Sequence, residues 1–283
     1  HTVVAATNYL RITEITEALL DRFAYQAVAW PDTDAHDQYR IARQYLTHGG
    51  RAMNPPAKIP FDDLRIVTDI CRGRSDLVTI DVPQPVIYYA NLVVSYYQEL
   101  RNREIEQSTG ERDFYISPRK QMKAFDLLRA VTFMHGRTTV GFDDVDRLVV
   151  LFTTVGVEEE RATWRKASST LMHQFNATGA FEQLETLLGF KDLLVHLRAH
   201  PDDLTKPLHQ IEDFAVKRGL IEWARETLGF ADADYENNRR IITEYLEQFA
   251  PATQEIRDLC ESLKRDARAI FGGGESLGAS PLR

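Results

Sequence analysis

From Asp34 to Phe271 the apolar residues recur at intervals of three and four, and this periodicity restricts the chain to a mainly helical fold. Asp34 can cap a helix running to about His48, with Tyr39, Ala42, Tyr45 and Leu46 on one face and Gly49-Gly50 as its stop. Leu64, Val67, Ile70 and Cys71 mark a second helix, from Phe61 to about Arg72. Ile87, Ala90, Val94, Tyr97 and Leu100 mark a third, near Pro85 to Glu106. Ser117-Pro118 opens a fourth, because serine caps well and proline fits the first turn. Its predicted stripe is Met122, Phe125, Leu128 and Thr132, and it stops at Gly136. Asp143 opens another, through Val145, Leu148, Val149 and Phe152. Further helices are predicted over 161–175, 181–197, 204–218, 220–228 and 235–271, the last interrupted at Pro251.

Strand character is confined to two short stretches, 2–6 and 27–31, separated by a short helical segment at 14–23. The opening His1-Thr-Val-Val-Ala-Ala-Thr-Asn8 reads as the middle of a protein, since a buried strand at a chain start leaves its ladder groups unpaired. A formal net charge of −8 argues against nucleic acid partners, whose phosphates call for a basic surface. Cys71 and Cys260 lie far apart, which suggests neither a disulfide framework nor a zinc site and suits a reducing cytoplasm. The best apolar run, Leu148 to Phe152, is far short of a membrane span. The Gly- and Ser-rich end, 272–283, reads as a flexible tail.

Four features fall in one order. Ala6-Thr7-Asn8 ends a strand, Leu19-Leu20-Asp21-Arg22-Phe23 precedes a second, and Ser117-Pro118-Arg119 opens a helix. His135-Gly136-Arg137-Thr-Thr-Val140 then leads to Asp143-Asp144-Val145. At these separations, residues 1 to 155 resemble the MoxR branch of AAA+ ATPases, from the sensor 1 strand through the helical lid. The resemblance implies a role for each matching residue. Asn8 corresponds to the sensor 1 asparagine that positions the attacking water near the γ-phosphate. Arg22 corresponds to the arginine finger that reaches the nucleotide of the neighbouring subunit. A guanidinium there is worth roughly 10³ to 10⁵ in rate, or about 4 to 7 kcal/mol at the barrier. Arg119 corresponds to the sensor 2 arginine, through which the lid feels the phosphates. Arg137 and Val140 fall at structural positions of the lid turn, with Asp143 as a cap.

The chain departs from the family in having no G-x-x-x-x-G-K-[ST] loop and no hydrophobic strand ending in Asp-Glu. Asp81, after Thr79-Ile80, is the nearest imitation, but Val82-Pro83 follows and the partner acid is missing. ATP and Mg²⁺, the cofactors that the resemblance implies, are therefore expected to be bound mainly by an upstream half.

The fold expected on this basis is a remnant of an αβα AAA+ core with two short strands (1–33), an AAA+ helical lid (34–155) and a second all-helical domain (157–271) before the tail. The implied function is coupling of ATP hydrolysis to remodelling of a protein client, in a homo-oligomeric, hexameric ring. A protein bearing a von Willebrand factor A domain is the partner implied by analogy. Two alternatives stand beside it: a non-catalytic helical adaptor with an AAA+-like lid, and a nucleic-acid-remodelling AAA+ relative. His196 and His200, four apart with Asp203 beyond, read as helix-end histidines at the negative pole of the dipole rather than metal ligands. Glu158-Glu159-Glu160 reads as a solvated first turn, and Tyr88, Tyr89, Tyr96 and Tyr97 as core and groove packing.

Overall fold

The computed structural model describes residues 34–49, 59–108, 114–154, 157–211, 214–229 and 235–272. The two expected strands, and with them Asn8 and Arg22, lie outside the described residues, as does the tail from 273 on. The described chain is mainly helical, and it divides into two compact units between Ser168 and Ser169.

The first unit holds α1 (Ala35–His48), α2 (Phe61–Cys71), α3 (Gln84–Ser108) and α4 (Pro118–Met134). A 3₁₀ element (Phe142–Leu148) then runs into the one-turn α5 (Val149–Phe152), and α6 (Glu158–Thr178) follows. α1 ends at Gly49 as expected, yet its Tyr39, Ile41, Tyr45 and Leu46 are exposed. α2 starts after Pro60, with Asp62 and Asp63 in the first turn where the helix dipole favours them. α2 and the 3₁₀ element pack on α4, and α3 packs on the 3₁₀ element.

Between these elements Ile70, Val86, Val93, Leu128, Leu148 and Phe152 are buried. Tyr89 meets Phe142 edge-on at 5.6 Å between ring centroids, and Tyr97 meets Trp164 at 5.3 Å. Trp164, fully buried, stacks on Phe152 at 5.4 Å, so residues of α6 complete this core. Four tyrosines of α3 pack as expected: Tyr89 and Tyr97 are buried, Tyr88 and Tyr96 half-buried.

Gly73 shows how closely α4 is held. It adopts a φ of +66°, and a Cβ there would meet the Arg129 guanidinium carbon at 3.3 Å. Arg129 in turn donates from Nε to the Ile80 carbonyl at 3.4 Å. Beside it runs a strand-like pairing in which the Asp81 N–H donates to the Thr138 carbonyl at 2.9 Å and the Val140 N–H to the Asp81 carbonyl at 3.0 Å. This segment ties the lead into α3 to the turn after α4, which is a structural role for the Asp81 backbone.

The second unit holds the end of α6 with α7 (Ala180–Ala199), α8 (Lys217–Leu228), α9 (Tyr235–Gln248) and α10 (Gln254–Phe271). α7 packs on α10, α10 on α9, and α9 on α8. The apolar positions read from the sequence are where the core sits: Leu184, Leu187, Leu188, Leu193, Leu194 and Leu197 of α7 are buried, as are Ile241, Ile242 and Leu246 of α9. Phe190 stacks on Tyr245 at 4.8 Å, and Trp223 meets the same ring at 5.0 Å.

Three expectations need correcting. The stretch 204–218 is not one helix: it holds two short 3₁₀ turns, Pro201–Thr205 and Leu208–Gln210, and α8 begins only at Lys217. Pro207 lacks the amide donor a continuous α-helix would need there. Met122, expected in the α4 stripe, is 75% exposed; Ala124, Leu128 and Thr132 form the buried line, so the face is rotated from the predicted one. Glu160 is buried, and its Oε2 accepts the Thr154 N–H at 2.5 Å, whereas Glu158 and Glu159 are solvated.

Candidate functional site

The site is built at the start of α4. The Ser117 Oγ accepts the Lys120 N–H at 3.4 Å, and Pro118 occupies the first helical position. Ser117 is extended (φ −66°, ψ 142°), so the chain turns sharply into the helix and places Arg119 in its first turn. Arg119 is exposed and has no ion-pair partner among the described residues. A cation beside the positive pole of a helix, with no carboxylate to offset it, is disfavoured unless an anion joins it. Near it in the chain, Tyr115 is 69% exposed and Met122 75% exposed. Such an arrangement can hold an anion such as a phosphate on the guanidinium, at the positive pole of the helix.

The approach to Arg119 is rigid. Ile116 is buried, and the Phe114 N–H donates to the Asn102 Oδ1 on α3. The Phe114 ring lies edge-on to Tyr97 at 5.4 Å and 5.9 Å from the Arg101 guanidinium carbon. Tyr97 is fully buried, and its phenol is pushed above the usual range by burial and then by Glu160, so it stays neutral. Arg101 is held in turn by Glu104 at 2.6 Å.

The far end of α4 closes in a polar lock. The Asp144 carboxylate, 4% exposed, accepts from Arg137 at 2.6 Å, from the Gly141 N–H at 2.9 Å and from the Thr132 hydroxyl at 3.3 Å. Burial alone would raise its pKa. The hydrogen bonds from Arg137, Gly141 and Thr132 and the attraction of Arg137 outweigh that, holding it below the usual carboxylate value. Gly141, not Asp143, is therefore the N-cap residue, with Asp144 at the third position reaching back to the Gly141 amide, and the segment that follows is 3₁₀ rather than α. A polar residue at 144 carries no periodic signal, so only its contacts with Arg137 and Thr132 reveal the assignment.

Two more polar links fasten α6 in the first unit. Ser168 donates to the Asp146 Oδ1 at 2.9 Å, and the Trp164 indole N–H to the Asp146 carbonyl at 3.3 Å. In the second unit His196 and His200 stack at 4.4 Å, and the His196 Nε2 lies 2.7 Å from Asp203. Among the described residues no group of three or more His, Cys, Asp or Glu side chains is placed to hold a metal ion. Nor is any described helix long and apolar enough to cross a membrane.

Of the three site residues read from the sequence, the structure places Arg119; Asn8 and Arg22 lie outside the described residues. Asn102 and Phe114, on the approach to it, are residues that sequence spacing did not single out, and the Thr132–Asp144 hydrogen bond at the other end of α4 is a pairing that it did not show. Residues 93–160 match the family model of the AAA lid domain, from the middle of α3 to the first turn of α6. No curated protein and no solved structure matches the chain. Sequence and helices together thus support residues 93–160 as an AAA+ ATPase lid domain.

Proposed function

We propose that the chain belongs to a MoxR-type AAA+ ATPase subunit that couples ATP hydrolysis in a hexameric ring to remodelling of a protein client. The observation that carries this reading is Arg119, exposed in the first turn of α4 inside a matched AAA lid domain and without an ion-pair partner among the described residues. In this reading Arg119 contacts the phosphates of ATP, and the lid moves with the nucleotide. Asn8 orients the attacking water, and Arg22 reaches the nucleotide of the neighbouring subunit.

ATP fits the donor on α4, since an exposed guanidinium recognises phosphate oxygens. Bound there, ATP supplies the phosphoanhydride whose cleavage drives the cycle. Mg²⁺ does not fit the described residues, which offer no cluster of three or more carboxylate or other ligating side chains. The second unit is proposed to engage the client or a partner with a von Willebrand factor A domain, and the assembly to work in the cytoplasm.

The test is to tag the protein at its native source, isolate it with whatever assembles with it, and measure ATP turnover and particle size. Turnover in a ring-sized particle, cut at least ten-fold by Arg119→Ala, is the expected result. An isolate with no turnover overturns the reading in favour of a non-catalytic adaptor.

A further inference from the structure

We infer that Asn102 on α3 is a positioning residue for Arg119, acting through Phe114; this rests on the reading of Arg119 as the phosphate contact. Three observations converge on the segment that leads into α4. The Phe114 amide is fixed by the Asn102 Oδ1, twelve residues earlier in the chain. Its ring is fixed twice, edge-on to the buried Tyr97 at 5.4 Å and facing the Arg101 guanidinium at 5.9 Å. Two residues on, Ile116 is buried at 3% exposure, and the Ser117 cap and Pro118 follow at once. Of residues 114–117, which lead into the helix, Tyr115 is exposed, whereas Phe114 and Ser117 are half-buried and Ile116 is buried.

The consequence is preorganisation. An exposed arginine side chain has many rotamers, and it binds a phosphate at less entropic cost when the backbone beneath it has a single path. The hydrogen bond from Phe114 to Asn102 selects that path at its entry, and the Phe114 ring on Tyr97 and Arg101 keeps it from rotating away. Asn102 is half-buried at the edge of α3, so its removal leaves the apolar core of the unit intact.

The experiment uses the natively isolated, tagged protein and ATP as the probe. Asn102→Ala should lower kcat/KM for ATP about five-fold, the order expected for one lost hydrogen bond. Asn102→Asp, which keeps an acceptor oxygen, should stay within about two-fold of wild type. In an Arg119→Ala background Asn102→Ala should have no further effect, because residues acting as one unit are not additive. Phe114→Leu, which keeps an apolar plug but loses the aromatic ring, should show the same non-additivity, and it serves as the probe if Asn102→Ala does not fold. An unchanged kcat/KM in Asn102→Ala, or a full five-fold loss added to that of Arg119→Ala, overturns the assignment. If Arg119→Ala alone leaves turnover unchanged, the reading of Arg119 itself has failed, and the positioning role goes with it.

Discussion

The Arg137 guanidinium and the Asp144 carboxylate lie 2.6 Å apart across the turn that follows α4, one half-exposed and the other buried. Asp144 also takes the Gly141 amide and the Thr132 hydroxyl, so one carboxylate joins α4, the turn and the 3₁₀ element. Asp144→Ala would leave a half-buried amide and a buried hydroxyl without their acceptor, at a cost of about 2–3 kcal/mol. Arg137→Ala should also destabilise, because it leaves the buried Asp144 carboxylate without its counter-charge. Chemical denaturation at neutral pH, followed by far-UV circular dichroism, measures both; an Asp144→Ala variant as stable as wild type contradicts the lock.

The same carboxylate sets an acid limit. Its folded-state pKa is depressed, so its contribution is fully present above the ordinary aspartate value of about 4 and is lost as pH falls through the lower folded value. The stability gap between wild type and Asp144→Asn should therefore be constant near neutrality and close below about pH 4. Denaturation midpoints taken stepwise between neutral and acid pH check this, and a gap that widens on acidification contradicts it.

Trp164 lies four residues past the matched lid segment, yet it is fully buried against Tyr97 and Phe152. Trp164→Ala should destabilise the first unit by about 3–5 kcal/mol, the range for truncating a buried aromatic. The loss is read from thermal or denaturant unfolding. A change under about 1 kcal/mol would mean that the lid is complete without α6.

Asn238 tests the second unit. Buried at 1% exposure, it donates from Nδ2 to the Leu204 and Lys206 carbonyls, both at 2.8 Å, and so holds the irregular stretch between α7 and α8 against α9. Asn238→Ala should cost about 1–3 kcal/mol. Asn238→Asp should cost more, since it turns an acceptor with a negative charge toward two carbonyl oxygens. Equal effects of the two substitutions in urea unfolding would show that the donor role is not what matters.

By itself the 283-residue chain should hydrolyse no ATP, because it contains no phosphate-binding loop or Asp-Glu strand end to hold a metal-complexed triphosphate. Phosphate release by the pure chain, above that of an Arg22→Ala control, would contradict this.

What the sequence determined by itself was local. Helix starts and stops such as Ser117-Pro118, Gly49 and Pro251 act through the residues next to them in the chain, and so do stripes such as Leu184 to Leu197. The lid domain was legible for the same reason, since Ser117-Pro118-Arg119 and the turn at Gly136-Arg137 are short linear patterns. Tertiary structure alone decided which polar groups meet: Asn102 with the Phe114 amide, Asp144 with Thr132, Asn238 with two carbonyls thirty-odd residues away. It also decided that Met122 faces out and that Asp144, not its neighbour, accepts the Gly141 amide. Helix periodicity reports which face is apolar because burial repeats every three to four residues. A hydrogen bond between distant segments repeats nowhere, and becomes visible only once packing has brought its two ends within 3 Å or so.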